Sequence, residues 1–242
     1  MGLPFNLGTC SNKMKVEDLW LVIPIGERDK YLSQIFRNSL IPMNQIVLIR
    51  TKPGKQIDGV QNIFVKSDEI NIQKWWNTGI AFAEEHGAKF VAVLNDDVAI
   101  SPGSLQAIAF DVEEKDVPLG FPFPHSGQLA GYCWVLNLKF PVRPDERFKW
   151  WYGDNDLQMQ AQLISKYIYV SSSVEHLEAN KLTSSDTLLS SLGEKDHLEF
   201  VKKWSKTHGK KELSLRLIPQ KIKRLVDKAK YRIKNLKIWR QN

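Results

Sequence analysis

Cysteine is almost missing from this chain. Only Cys10 and Cys133 occur among 242 residues, and no metal-type spacing links them. A disulfide framework is therefore not expected, and a reducing, cytoplasmic setting is. Long apolar runs are missing too. The longest, Leu19–Ile25 and Phe90–Leu94, fall far short of the ~20 apolar residues that span a bilayer. The first residues include Lys13 and Lys15 but no apolar core and no small-residue cleavage site, so no signal peptide is expected. There is no internal repeat. Acidic residues are scarce in one place only. Between Lys210 and Asn242 there are two, Glu212 and Asp227, against twelve Lys or Arg, while the other 209 residues hold 25 acidic and 22 basic groups. The formal charge of +7 thus belongs to the tail. The body, at −3, needs no polyanionic partner.

What is present is ordinary globular composition, 43% hydrophobic and 25% charged, enough for one buried core with an appendage. Strands and helices alternate. Leu19–Ile25 reads as a strand buried on both faces, and the segment from Arg28 to Leu40 as a helix. Short strands follow at Gln45–Ile49 and Asn62–Val65, then a helix over Asn71–His86 closed by Gly87. Phe90–Leu94 is the next buried strand. It empties into Asn95-Asp96-Asp97, and Pro102 opens a further helix. Leu119–Pro124 and Gly131–Leu138 read as strands, Pro141–Tyr152 as an aromatic, charged loop, Asp156–Lys166 as a helix and Tyr167–Ser171 as a strand. Thr183–Ser191 is expected to be mobile and Leu198–Trp204 helical. Such alternation implies a mostly parallel sheet flanked by helices, with ligands at the carboxyl ends of its strands. Asp96 and Asp97 lie at one such end.

Three constellations carry chemistry. Adjacent carboxylates at Asp96 and Asp97 repel unless a cation sits between them, and a hard divalent ion with diphosphate oxygens would do so. A polar strand-to-helix turn, with Asp97 or Ser101 as cap, accounts for them equally simply. In Trp150-Trp151-Tyr152-Gly153-Asp154-Asn155-Asp156 two acids follow an aromatic run, the makings of a sugar-stacking platform beside a base. Helix capping by the acids and core filling by either Trp alone are the plainer accounts. His176, in Val174-Glu175-His176-Leu177, is of interest because imidazole joins carboxylates around Mn²⁺-type ions.

Taken in order, these segments resemble family-2 glycosyltransferases of the GT-A fold over about residues 17 to 180. Leu21-Val22-Ile23-Pro24-Ile25-Gly26-Glu27-Arg28 looks like the family's opening, nucleotide-contacting strand, and Asn71–Gly79 is similar to its Asn-x-Gly helix. Leu94-Asn95-Asp96-Asp97 resembles its metal motif, Gly131–Leu136 its acceptor-side strand, and Tyr152–Leu157 its Glu-Asp-x-Asp-Leu segment. The resemblance implies a GT-A-type α/β domain over 17–205, after an N-terminal segment 1–16 and before a basic tail 206–242. It implies a nucleotide-sugar donor near Pro24, Ile25, Glu27, Arg28, Arg50, Asn77, Asn95 and Asp96. It further implies Mn²⁺ or Mg²⁺ on Asp97 and His176, and Asp154 as the base of an inverting transfer. Trp150, Trp151, Tyr152 and Asp156 would meet the acceptor, a glycan or another hydroxyl. Three departures stand out: Arg50 where the family places an aspartate, Gly153 where it places a glutamate, and Asn71 at a frequent glycine. No Gln-x-x-Arg-Trp motif occurs, which argues against a processive synthase.

Other classes share parts of this pattern. A nucleotidyltransferase would use the same carboxylate–metal site, and an inactive sugar-binding module would keep the fold. The tail has its own pattern: Ile222, Leu225, Val226, Ala229, Ile233, Leu236 and Trp239 recur at three and four after Pro219, with lysines and arginines between. A basic amphipathic helix is expected, lying on an anionic membrane, packed on the body, or on nucleic acid in the manner of an enzyme acting on hydroxylated DNA bases.

Overall fold

The computed structural model describes residues 15–26, 29–52, 56–65, 69–123, 131–177 and 187–208. Glu27, Arg28 and the tail expected to form an amphipathic helix lie outside these residues. Among the described residues no helix is long and apolar enough to cross a membrane.

Strand β1 (Leu19–Ile25) is buried at every position, and β2 (Ile46–Arg50) and β4 (Phe90–Leu94) are equally enclosed. These unbroken apolar runs are what a strand covered on both faces requires. With β3 (Gln61–Phe64) they form a parallel set ordered β3-β2-β1-β4. Pro24, which lacks an N–H, sits past the last residue that pairs with β4 and so interrupts no ladder there. The sheet continues through β7 (Cys133–Asn137), antiparallel to β4, then β6 (Leu119–Pro122) and β8 (Tyr167–Val170), which are parallel to each other.

Helices cover both faces. On one side α1 (Leu32–Ser39) and α3 (Ser104–Glu114) bury Leu32, Ile35, Leu105, Ile108 and Val112 against β1, β2, β4 and β7. On the other, α2 (Ile72–Glu85) and α4 (Gly153–Ile164) bury Trp76, Ile80, Leu157 and Ala161 against the alternate residues of the same strands. Each fully buried aliphatic side chain contributes about 1.5–3 kcal/mol, so the two cores dominate stability. A third cluster, Phe148, Met159, Phe200 and Trp204, docks α5 (Thr187–His208) onto α4.

Four local expectations differ from the structure. The helix expected from Arg28 begins at Leu32, behind a 3-10 turn over Asp29–Tyr31. The α4 helix starts at Gly153, which puts Asp154 and Asp156 together in its first turn. Two three-residue strands escape any periodicity reading: β5 (Val98–Ile100) and β9 (Val174–His176) pair antiparallel as a small second sheet. Finally, α5 is far longer than Leu198–Trp204, takes in residues 187–191 that were expected to be mobile, and runs past the boundary expected at 205. Its Ser- and Thr-rich start is a poor helix former in isolation. Tertiary docking of Leu189, Asp196, Phe200 and Trp204 overrides that propensity.

Candidate active site

The parallel strands β1 and β4 end at the same edge of the sheet, where α/β folds bind ligands. There Asp96 Oδ2 accepts the Gly26 N–H at 3.0 Å, tying the two strand ends together. Asn95 donates its N–H to the Tyr132 carbonyl (2.9 Å), which joins the start of β7 to the same edge. Pro24 and Ile25 form the buried end of β1, and Arg50 is buried at the matching end of β2.

The small β5–β9 sheet sets the next pair. Val98 stands opposite His176, and the Leu177 N–H bonds the Asp97 carbonyl at 3.0 Å. That register brings His176 Nε2 to 3.0 Å from Asp97 Oδ1. The Tyr132 ring stacks on the imidazole, centroids 4.9 Å apart and planes 20° from parallel. Burial, with Cys133 and Glu175 nearby, pushes the Tyr132 phenol above its usual range.

Next to Tyr132 in sequence, Gly131 lies against the Asp154 carboxylate. A Cβ there would stand 2.6 Å from Oδ2, so any other residue would displace the acid. Asp154 keeps part of its surface in solvent, but its carboxyl group is closely surrounded. Burial pushes that carboxyl above the ordinary carboxylate range, an effect partly offset by the N–H groups of Asp154 and Asn155. Burial pushes the nearby Tyr169 phenol above its usual range, with Tyr167 and, less strongly, the Asp154 charge adding to it; its hydroxyl receives Gln158 at 3.3 Å. Gly131 and Tyr132 thus touch the two chemical groups of this edge, one each: the carboxyl raised by burial and the carboxylate–imidazole pair.

Several residues expected to contact ligands have partners within the protein, and for Asp156, which has no exposed surface, the expectation is corrected. Asn77 gives its amide to Pro144 O (2.9 Å) and Glu146 Oε1 (3.1 Å), holding the aromatic loop onto α2. Asn71 caps α2 through Lys74 N–H and binds Glu146 O, so its replacement of glycine has a structural reason. Asp156 is wholly buried and bonded by Lys203 Nζ (2.7 Å), Trp204 Nε1 (2.8 Å) and Gln160 Nε2 (2.7 Å). Those bonds commit both of its oxygens within the protein. Trp151 packs on Gly193 and donates to Leu189 O, while Tyr152 bonds His197 (3.0 Å) and stacks toward Phe200. Both rings therefore fasten α5. Trp150 lies half-buried, edge-on to Trp75.

Other residues were not singled out from the sequence. Asp196, 1% exposed, accepts the main-chain N–H groups of Lys149, Trp150 and Trp151 at 2.8–2.9 Å and so clamps the loop before α4. Gln73, in the first turn of α2, is completely buried with both amide atoms unpartnered among the described residues. Such an amide costs about 1–3 kcal/mol. Its one signal was the bare Gly153 beside a base candidate. The Cys133 thiol is buried and pushed up by burial, which makes it inert.

Among the described residues no three His, Cys, Asp or Glu side chains gather to hold a metal by themselves. The Asp97–His176 pair still fits a divalent ion at a phosphate substrate. Such ions take one or two protein ligands and complete their shell with phosphate oxygens and water. The donor types, carboxylate oxygen and imidazole nitrogen, suit Mn²⁺.

No protein-family model and no curated protein sequence matches this chain. Solved structures do match in shape. GalNAc-T7, in complex with UDP, GalNAc and Mn²⁺, superposes with a TM-score of 0.53 at 13% identity, over 65% of this chain and 43% of its own. TarS of S. aureus gives 0.51 at 13% identity, over 64% and 35%. The mannosyltransferase PcManGT from Pyrobaculum calidifontis, in complex with GDP-Man and Mn²⁺, gives 0.50 at 10% identity, over 69% and 59%. The chain spans between 35% and 59% of the length of these proteins. Identities this low establish the fold alone. It is a GT-A-type α/β fold, a mostly parallel sheet flanked by helices.

Proposed function

We propose that this chain is a metal-dependent, inverting glycosyltransferase that moves one sugar from a nucleotide-sugar to an acceptor hydroxyl. The observation that carries the reading is the contact of consecutive residues with two kinds of chemistry: Tyr132 stacks on the Asp97–His176 pair, and Gly131 presses on Asp154. Two solved structures of the same fold, GalNAc-T7 with UDP, GalNAc and Mn²⁺ and the mannosyltransferase PcManGT with GDP-Man and Mn²⁺, support it further.

In this reading the ends of β1 and β2, with Asn95, seat the nucleotide, and Asp96 orients the ribose or the donor sugar. Asp97 and His176 would hold the divalent ion. When bound, it neutralises charge developing on the leaving diphosphate. Asp154 accepts the proton of the acceptor hydroxyl. That oxygen attacks the anomeric carbon from the face opposite the departing diphosphate, so the new bond forms as the glycosyl–phosphate bond breaks. Burial suits Asp154 to this, because it strengthens the carboxylate as a base.

Nucleotide release from a panel of UDP-, GDP- and dTDP-sugars with Mn²⁺ tests the reading, with sugar and nucleotide products separated. Free sugar or glycoside is expected. Transfer of a nucleotidyl group instead would make the chain a nucleotidyltransferase. Asp97→Ala and EDTA should each abolish turnover, and Mn²⁺ should restore the EDTA-treated protein. His176→Ala should cost less, since water replaces a neutral ligand. Full turnover in EDTA would remove the metal from the scheme.

The tail is assigned to an anionic membrane surface, because its apolar residues follow helical spacing among the basic ones. Deleting 219–242 should leave donor hydrolysis intact and abolish co-sedimentation with anionic liposomes. Loss of hydrolysis would place the tail in the core. Loss of duplex-DNA binding, with no liposome binding by the full chain, would point to nucleic acid.

A further inference from the structure

Gly153 begins α4 and leaves its flank empty where every other residue would place a side chain. The Gln73 amide, reaching from the first turn of α2, occupies that space: a Cβ built at 153 would collide with its Nε2, Cδ and Oε1. Asp154 is the very next residue. Gln73 has no exposed surface, and neither amide atom has a hydrogen-bond partner among the described residues. The indole N–H groups of Trp76, one turn further along α2, and of Trp134 are likewise buried and unpartnered there, and the two rings meet edge-on at 5.3 Å. Hydrogen-bonding capacity is therefore left unused at the Gln73 amide, beside the first turn of α4.

Packing alone does not account for an amide at this position. Leucine or methionine would fill the same volume with nothing left unsatisfied. An orphaned amide also has no bond to break when it turns, and Gly153 offers no Cβ to obstruct the turn. A partner arriving at Asp154 would draw it out. That partner must accept from Nε2 and donate to Oε1, which a hydroxyl does and a phosphate or a ketone does not.

Resting on the glycosyl-transfer reading above, we propose that Gln73 reads the acceptor. Its amide turns onto a hydroxyl adjacent to the one that Asp154 deprotonates. Two hydroxyls gripped at neighbouring positions make the acceptor a polyhydroxylated molecule, a carbohydrate or polyol, rather than a lone alcohol. Gln73 takes no part in bond making. It fixes which hydroxyl faces the base.

The test uses the full chain, the best nucleotide-sugar from the donor panel, and glycerol and the methyl glycosides of glucose, galactose and mannose as acceptor probes. Three readouts are taken: thermal midpoint, donor hydrolysis by water, and transfer to the probe. Gln73→Leu should unfold at the same temperature or higher, because it removes an unsatisfied group without opening a cavity. Hydrolysis should stay within about twofold, while transfer falls roughly tenfold or more through a higher acceptor KM. Gly153→Ala, which pushes the amide aside, should lower transfer in the same way, and the double variant should lose no more than either single one. A Gln73→Leu protein that melts several degrees lower overturns the proposal, since the amide would then be serving a structural water. So does one that transfers as well as wild type. A wild type that hydrolyses the donor but glycosylates none of the polyols overturns the acceptor class alone. A wild type that hydrolyses no nucleotide-sugar defeats the glycosyl-transfer reading and this inference with it.

Discussion

Asp154→Asn is expected to lower kcat for transfer by about 10²- to 10⁴-fold, the usual contribution of a positioned base, with donor affinity nearly unchanged. Asparagine keeps the contact with Gly131 and removes only the basicity. The pH profile gives a second handle. Burial holds the Asp154 carboxyl above its ordinary value, so transfer should fall on the acid side at a pH higher than a solvated aspartate, near 3.9, would dictate. The stability effect has the opposite sign. Because the folded chain binds this proton more tightly than the unfolded one, stability attributable to Asp154 declines as pH rises from about 3.9 through the raised folded value. Asp154→Asn should therefore melt at the same temperature or slightly higher at neutral pH, and any gain should vanish in acid. NMR of the product should show an inverted anomeric centre. Lost nucleotide affinity instead of lost kcat would make Asp154 a donor-site residue, and retention of configuration would contradict a single displacement.

The strands were the readable part of the fold, and the reason is local. Leu19–Ile25 and Phe90–Leu94 are apolar without interruption because both faces are covered, and no pairing choice disguises that. The position of the Asp96–Asp97 corner was legible for the same reason, since an acidic pair directly after such a strand falls at the carboxyl end of the sheet. The antiparallel course of β7 was not, because pairing direction leaves no mark on a buried apolar run, and neither was the β5–β9 pair, because a three-residue strand has too few alternations to show a period. The aromatic loop shows where local reading misleads. Asp156 looks like Asp154's companion at i+2, yet a helix turns side chains two apart to different sides. Asp154 faces Gly131, whereas Asp156 faces Lys203 and Trp204, which lie about fifty residues later in the chain. No spacing rule reaches that far. Asp196, whose three main-chain bonds hold the loop in place, is equally silent in sequence: a single acid in a helix full of charges.

That distant partnership supplies the other large expected effect, on stability. Lys203 Nζ lies 2.7 Å from Asp156 Oδ1 and 2.7 Å from Asp145 Oδ2, and it sits over the rings of Trp204 and Phe148. Burial alone would raise Asp145, but hydrogen bonds from Arg147 and Lys203 outweigh it and hold that carboxyl well below its usual range. Asp156 has no exposed surface at all. Lys203→Met keeps most of the stem and removes the charge, leaving Asp156 to Trp204 and Gln160, neither of which carries a compensating charge. An uncompensated buried carboxylate costs about 3–5 kcal/mol. At roughly 2–4 °C per kcal/mol for a chain of this size, the midpoint should drop on the order of 10 °C. Asp156→Asn combined with Lys203→Met removes the buried charge as well, and should recover much of the loss. If Lys203→Met costs under about 1 kcal/mol, the pair behaves like a surface ion pair and α5 is held by Phe200, Trp204 and Asp196 alone. If the double variant is no better than the single one, the damage is to packing around Phe148 rather than to charge. Either way the result bears on the proposed transfer, because the turn of α4 that Lys203 anchors through Asp156 is the turn that presents Asp154.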